Sequence, residues 1–124
     1  MRKKLHKNIY TKKICDEDVI YEANYTIDDK GNRISLFTKP NNLKNIILFG
    51  ASFTFGDGLN DVDVIHNILN KKNLNTNFYN FAISGTGSSA TLEILMKMDL
   101  NKQFHNINYG IYSAIPSHIY RTNL

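Results

Sequence analysis

The sequence predicts an α/β fold with a parallel sheet, and three observations predict it. Asn45–Phe49 (NIILF) is an apolar run closed by Gly50, the pattern of a strand buried on both faces. From there the chain alternates strand-like and helix-like stretches as β-α-β-α-β, with short connections, which implies right-handed crossovers between parallel strands. Each of the three strands also runs into turn chemistry at its C-terminal end: Gly50-Ala51-Ser52, Ser84-Gly85-Thr86-Gly87, and Pro116-Ser117. That is the edge at which open α/β sheets bind ligands. With 124 residues, 42% of them hydrophobic, the chain fits one domain.

Taken in order, residues 1–18 read as a flexible arm, basic and then acidic. Val19–Ile27 alternates β-branched and aromatic residues and predicts a strand. Asp28-Asp29-Lys30-Gly31-Asn32 is a turn, and Arg33–Phe37 is the expected return strand of a β-hairpin; residues 19–42 thus form a hairpin and linker, with Pro40-Asn41-Asn42 as the break. The α/β domain occupies 43–124. After the first core strand, Val62–Lys72 predicts an amphipathic helix with Val62, Ile65, Ile68 and Leu69 inward, and Asp61 as its N-cap. Phe78–Ile83 is the second strand. Ser88 or Ser89 caps the next helix, which reaches about Met98 with Leu92, Leu95 and Met96 inward. Asn106–Ile115 is the third strand, and Ser117 opens a helix through His118 and Arg121.

Charge narrows the function. The formal charge is +4, but six of fifteen basic residues lie in the first thirteen positions; the remainder has nine basic and eleven acidic side chains. A basic tail on a weakly acidic body argues against nucleic acid as a partner. The single cysteine, Cys15, excludes an internal disulfide, and no histidine pair has metal-ligand spacing, so neither metal nor cofactor is expected. No segment has transmembrane length and no apolar signal core follows the basic start. The expected compartment is the cytoplasm, or outside it should the N-terminus be incomplete.

Three residues sit where the sheet would bind a ligand. Ser52, on the strand-to-helix turn, can expose its hydroxyl as a nucleophile or simply cap the turn. Gly85, after the second strand, can bring a backbone N–H into the cleft or serve as an ordinary turn glycine. His118 follows the third strand and is the histidine placed nearest the cleft; His66, inside the first helix, reads as a surface residue. Gly85-Thr86-Gly87-Ser88 lacks the lysine of a phosphate loop, and the glycines around Gly50 do not match a dinucleotide fingerprint.

Together these stretches resemble the SGNH/GDSL family of serine esterases and acyltransferases. Gly50-Ala51-Ser52-Phe53-Thr54-Phe55-Gly56-Asp57-Gly58 is similar to the family's first block, G-D-S followed by F-T-F-G-x-G, with Asp61 matching a frequent downstream acid. Asn80–Gly87 is similar to its second block. Tyr25–Arg33 (YTIDDKGNR) resembles a segment that precedes the catalytic domain in several bacterial members, and Ile111–Arg121 the third-block region of a subgroup. The resemblance implies Ser52 as nucleophile, the N–H groups of Ser52 and Gly85 as oxyanion donors, and His118 in an oxyanion or other site role. It implies a small-molecule or carbohydrate ester as substrate.

Two departures stand against it. Ala51 replaces the first-block aspartate, and the family's C-terminal D-x-x-H block has no match here. The expectation is therefore a flavodoxin-like three-layer α/β/α fold truncated after its third core strand, with weak or no activity and an open sheet edge available for self-association. O-acetyl transfer to a sugar, a non-catalytic interaction module and a small nucleotide-binding domain are the alternatives.

Overall fold

The computed structural model describes residues 6–40, 44–104 and 107–118. Strands β1 (Lys7–Cys15) and β2 (Asp18–Ile27) form an antiparallel ribbon closed by a tight turn with Asp16 in the left-handed region (φ 54°). The arm expected over 1–18 is thus a strand from Lys7 onward, while residues 1–5 lie outside the described residues. The ribbon is largely exposed on both faces, so β1 carries no apolar alternation for sequence to show; only Ala23 and Tyr25 of β2 are buried. The expected return strand at Arg33–Phe37 is also corrected. The Asp28–Asn32 turn forms, closed by Asp28 N–H on the Asn32 carbonyl at 2.8 Å, but beyond it there is only an isolated bridge, Ile27 to Arg33.

The second sheet holds β3 (Lys44–Phe49), β4 (Thr76–Asn80) and β5 (Ile107–Tyr112), all parallel, in the spatial order β4-β3-β5. β3 is central, which explains its unbroken apolar run: Ile47 and Phe49 pack on one face with Phe81, Ile94 and Phe104, while Leu48 is buried on the other. Phe104 anchors that core with its ring 4.5 Å from Tyr79 and 5.8 Å from Phe81. Between the strands lie α1 (Ser52–Phe55), a 3-10 turn (Asp61–Asp63), α2 (Ile65–Lys72), α3 (Ser88–Lys97) and α4 (Leu100–Gln103).

Both long helices turn different faces inward from those the pattern predicts. In α3, Ile94 packs on the core, and Leu92, Leu95 and Met96 are exposed. Its N-cap is Gly87, not Ser88 or Ser89, and Ser88 is the first residue of the helix. In α2, the buried residues are His66, Asn67 and Asn70, whereas Val62, Ile65 and Ile68 are exposed. The surface that α2 covers is polar backbone. Residues 34–40 run past it as an irregular strap, and a strap without a ladder must find other partners for its N–H and C=O groups. The Ile34 carbonyl accepts from His66 Nε2 (2.9 Å) and Asn67 Nδ2 (3.1 Å), and Leu36 N–H donates to Asn67 Oδ1 at 2.7 Å. Asn77 does the same further along, accepting from Lys39 N–H (2.8 Å) and donating to the Lys39 carbonyl (3.1 Å). Each carboxamide offers a donor and an acceptor, which suits it to a bare peptide unit.

Asn70 performs this service for β4. Its Oδ1 accepts from Phe78 N–H at 2.7 Å and its Nδ2 donates to the Phe78 carbonyl at 2.9 Å. These peptide groups face away from β3, so the outer edge of β4 is sealed by a side chain. At β5, by contrast, Tyr109 and Ile111 remain 64% and 47% exposed. Among the described residues, no helix is long and apolar enough to cross a membrane.

Candidate active site

β3 ends at Phe49, and the chain turns through Gly50 and Ala51 into Ser52, the first residue of α1. The turn demands glycine at 50. A Cβ there would lie 2.4 Å from Thr54 Oγ1 and 3.3 Å from the Ser113 carbonyl, at a φ of +156°. Ala51 is buried. The Ser52 carbonyl accepts the N–H groups of Gly56 (2.9 Å) and Asp57 (3.1 Å), which closes α1 after one turn. Ser52 itself is half-buried, and among the described residues its hydroxyl has no hydrogen-bond partner.

The loops that follow the three parallel strands are laced together around this turn. Ile83 N–H donates to the Gly50 carbonyl at 3.1 Å, and Ser113 N–H to the Phe49 carbonyl at 3.0 Å. The Ser84 hydroxyl donates to the Asp57 carboxylate, joining the loop after α1 to the turn that carries Gly85. Gly85 is exposed, at φ +78°, with open space where a Cβ would stand. Asn80 ties the layers together from beneath. It is fully buried, donates to the Thr54 carbonyl at 2.6 Å and accepts from Ala82 N–H at 3.0 Å.

The loop from Phe55 to Asp61 is held from outside by Arg33, a residue expected in the return strand of the hairpin. Its guanidinium is buried, stacked 4.2 Å from the Tyr25 ring centroid and 5.3 Å from that of Phe55. Nη1 donates to the Phe55 and Gly56 carbonyls at 3.4 and 3.3 Å; Nη2 donates to the Leu59 carbonyl and the Asp61 carboxylate, both at 3.0 Å. The Tyr25 hydroxyl accepts Gly58 N–H at 2.6 Å. Asp61, expected as a helix N-cap, instead meets Arg33 and receives Thr26 N–H at 3.1 Å. The N-cap of α2 is Val64.

His66 and His118 have structural partners. His66, expected on the surface, is completely buried. The Ile34 carbonyl can only accept, so Nε2 carries the hydrogen and Nδ1 is left to accept from Asn80 Nδ2 at 3.3 Å. Burial pushes its pKa down to about 4, so the ring is neutral at pH 7. His118 does follow β5 at the C-terminal end of the sheet, but it is buried, with Nδ1 2.7 Å from the Tyr112 hydroxyl and 3.4 Å from Ile115 N–H. Arg121 and His105 lie outside the described residues. Among the described residues, no group of three or more His, Cys, Asp and Glu side chains could hold a metal ion.

No protein-family model, curated protein or solved structure matches this chain. Its functional reading therefore rests on its own residues. The arrangement offers a serine hydroxyl where a strand-to-helix turn enters its helix, and an exposed glycine turn tied to the loop after that helix by Asp57 and Ser84. A serine so placed can attack a carbonyl once a base takes its proton.

Proposed function

We propose that Ser52 is the nucleophile of an SGNH/GDSL-type serine hydrolase, acting on a carboxylic or acetyl ester. The observation that carries the reading is the Ser52 turn itself: a serine at the C-terminal end of the central parallel strand, on a glycine turn that no other residue fits. The strand order β4-β3-β5 supports it, since it is one half of the flavodoxin-like order, as do α2 lying against β4 and Ile94 of α3 packing on the Ile47–Phe49 core. In this reading the Ser52 and Gly85 N–H groups hold the oxyanion, and the substrate is a small-molecule or carbohydrate ester. The same nucleophile serves O-acetyl transfer when a sugar hydroxyl replaces water as the acceptor.

A second reading has an observation in its favour. His66 and His118 are both engaged in structural contacts, and among the described residues no side chain bonds to the Ser52 hydroxyl. That favours a non-catalytic interaction module on the same scaffold. Hydrolysis of p-nitrophenyl acetate separates the two. The hydrolase reading expects turnover by the chain that falls to the solvent rate in Ser52→Ala; equal rates for both proteins support the interaction module.

A further inference from the structure

The Asn80 carboxamide is completely buried, and each of its hydrogen-bonding groups is committed. Its Nδ2 donates to the Thr54 carbonyl at 2.6 Å and to His66 Nδ1 at 3.3 Å, and its Oδ1 accepts from Ala82 N–H at 3.0 Å. Thr54 belongs to α1, which Ser52 opens. Ala82 lies in the loop that carries Gly85, and its neighbour Ile83 donates to the Gly50 carbonyl. One planar group therefore sets the spacing between the Ser52 turn and the Gly85 loop. Two of its partners fix its orientation, because the Thr54 carbonyl can only accept and Ala82 N–H can only donate.

His66 is the third partner, and it can change its role. Its Nε2–H is already given to the Ile34 carbonyl at 2.9 Å, so a second proton has to enter at Nδ1. Nδ1 then becomes a donor aimed at the Asn80 N–H, and two donors meet in a buried site. The ring is not the side that yields. It is 0% exposed, and a positive charge strengthens its bond to the Ile34 carbonyl. Turning the carboxamide over gives Nδ1–H an acceptor. The same turn sets Oδ1 against the Thr54 carbonyl and Nδ2 against Ala82 N–H, so both contacts to the Ser52 turn are lost at once. Charge reaches His66 from two elements packed on it. Arg33, just before the strap, opposes the second proton, and Asp61 in the 3-10 turn favours it; β4 and α1 carry no charged side chain, and Lys71 and Lys72 sit in the last turn of α2 itself. Burial outweighs them all and holds the pKa down to about 4, which places the change in acid.

We propose that Asn80 is a positioning residue that passes the protonation of His66 to the Ser52 turn: the carboxamide turns over in acid, and Thr54 and Ala82 are released together. The release takes place whether or not Ser52 reacts with anything. The experiment is an NMR pH titration of the full ¹⁵N-labelled chain from about pH 7 to about pH 3.5. The amides of Phe55, which shares its peptide group with the Thr54 carbonyl, and of Ala82 should move with the midpoint of the His66 ring signals. Ala82 N–H should lose about 5-fold or more of its protection against exchange, while the rest of the spectrum stays dispersed. Carboxylates titrate in the same range, so His66→Gln is the control. It keeps a donor for the Ile34 carbonyl and takes up no proton, and the coupled shifts should vanish from it. If that variant does not fold, coincidence of the midpoints in the wild type decides. The inference is overturned if Phe55 and Ala82 do not follow the ring, or if they move equally in His66→Gln. It is overturned equally if protonation frees Ile34 and Leu36 of the strap with Phe55 and Ala82 unmoved, or if His66 takes its proton only as the whole spectrum collapses.

Discussion

Arg33 reaches Asp61 across 28 positions of sequence, with Nη2 donating to Oδ1 at 3.0 Å from a side chain that is 0% exposed to one that is 18% exposed. The pair closes a frame. Arg33 grips the carbonyls of the loop after α1, and Asp61 receives β2 through Thr26 N–H. The ribbon and the strap thereby fix the loop that leads away from Ser52.

Replacing Arg33 with lysine keeps the charge but loses the planar fork that serves four acceptors and stacks on Tyr25. We expect Arg33→Lys to lower unfolding stability by about 2–4 kcal/mol, since it leaves buried acceptors and a carboxylate without their donors. Urea denaturation measures this; a loss near zero would mean that the guanidinium is incidental to the loop.

His66 makes the fold acid-sensitive. Its pKa is about 4 in the folded chain against 6.5 for an unperturbed histidine, so between those values the unfolded chain binds the extra proton. Stability should therefore fall as pH drops from 6.5 to 4, by about 3 kcal/mol from this group, and show no His66 dependence above that window. His66→Gln keeps a donor for the Ile34 carbonyl and removes the titration. Its denaturation midpoint should be flatter across the window than that of the wild type, and an identical slope in both proteins would contradict the assignment.

Asn70 guards the outer edge of β4. Asn70→Leu preserves volume but strands both peptide groups of Phe78, at a cost of about 2–4 kcal/mol. It also exposes a strand edge to intermolecular pairing. Urea titration and light scattering should report lower stability and concentration-dependent aggregation; unchanged scattering would show that the carboxamide does not guard the edge.

On the opposite side of the sheet, β5 exposes Tyr109 and Ile111. Self-association through this strand is the expected consequence. In sedimentation velocity the wild type should gain mass with concentration, and Ile111→Lys should stay monomeric. If the two proteins sediment alike, the β5 edge is not a contact.

Sequence made some of this fold legible and hid the rest for physical reasons. β3 was readable because burial on both faces leaves an uninterrupted apolar run ending at Gly50. The turn at Asp28–Asn32 was readable from its own chemistry, but alternation in β2 says that a strand exists and not which segment pairs with it. The partner, Lys7–Cys15, is a lysine-rich strand exposed on both faces. The inward face of α2 departs from its apolar periodicity because that pattern assumes an apolar partner surface, and here the partner is bare backbone served by His66, Asn67 and Asn70. One signal was available: Asn77 and Asn80 lie in or beside a strand-like run, where asparagine is unfavourable unless its side chain has a backbone to serve. For the candidate site, Ser52 and Gly85 could be placed at strand ends from sequence alone. That His66 and His118 are occupied elsewhere, and that Arg33 holds the loop, are tertiary facts without a local pattern.

The central claim concerns Ser52, and covalent labelling tests it most directly. The chain would be treated with a fluorophosphonate probe, digested, and the modified residue mapped by mass spectrometry. The account predicts modification at Ser52, absent from Ser52→Ala and from heat-unfolded protein. Labelling that persists in Ser52→Ala, or that falls on another residue, would contradict it.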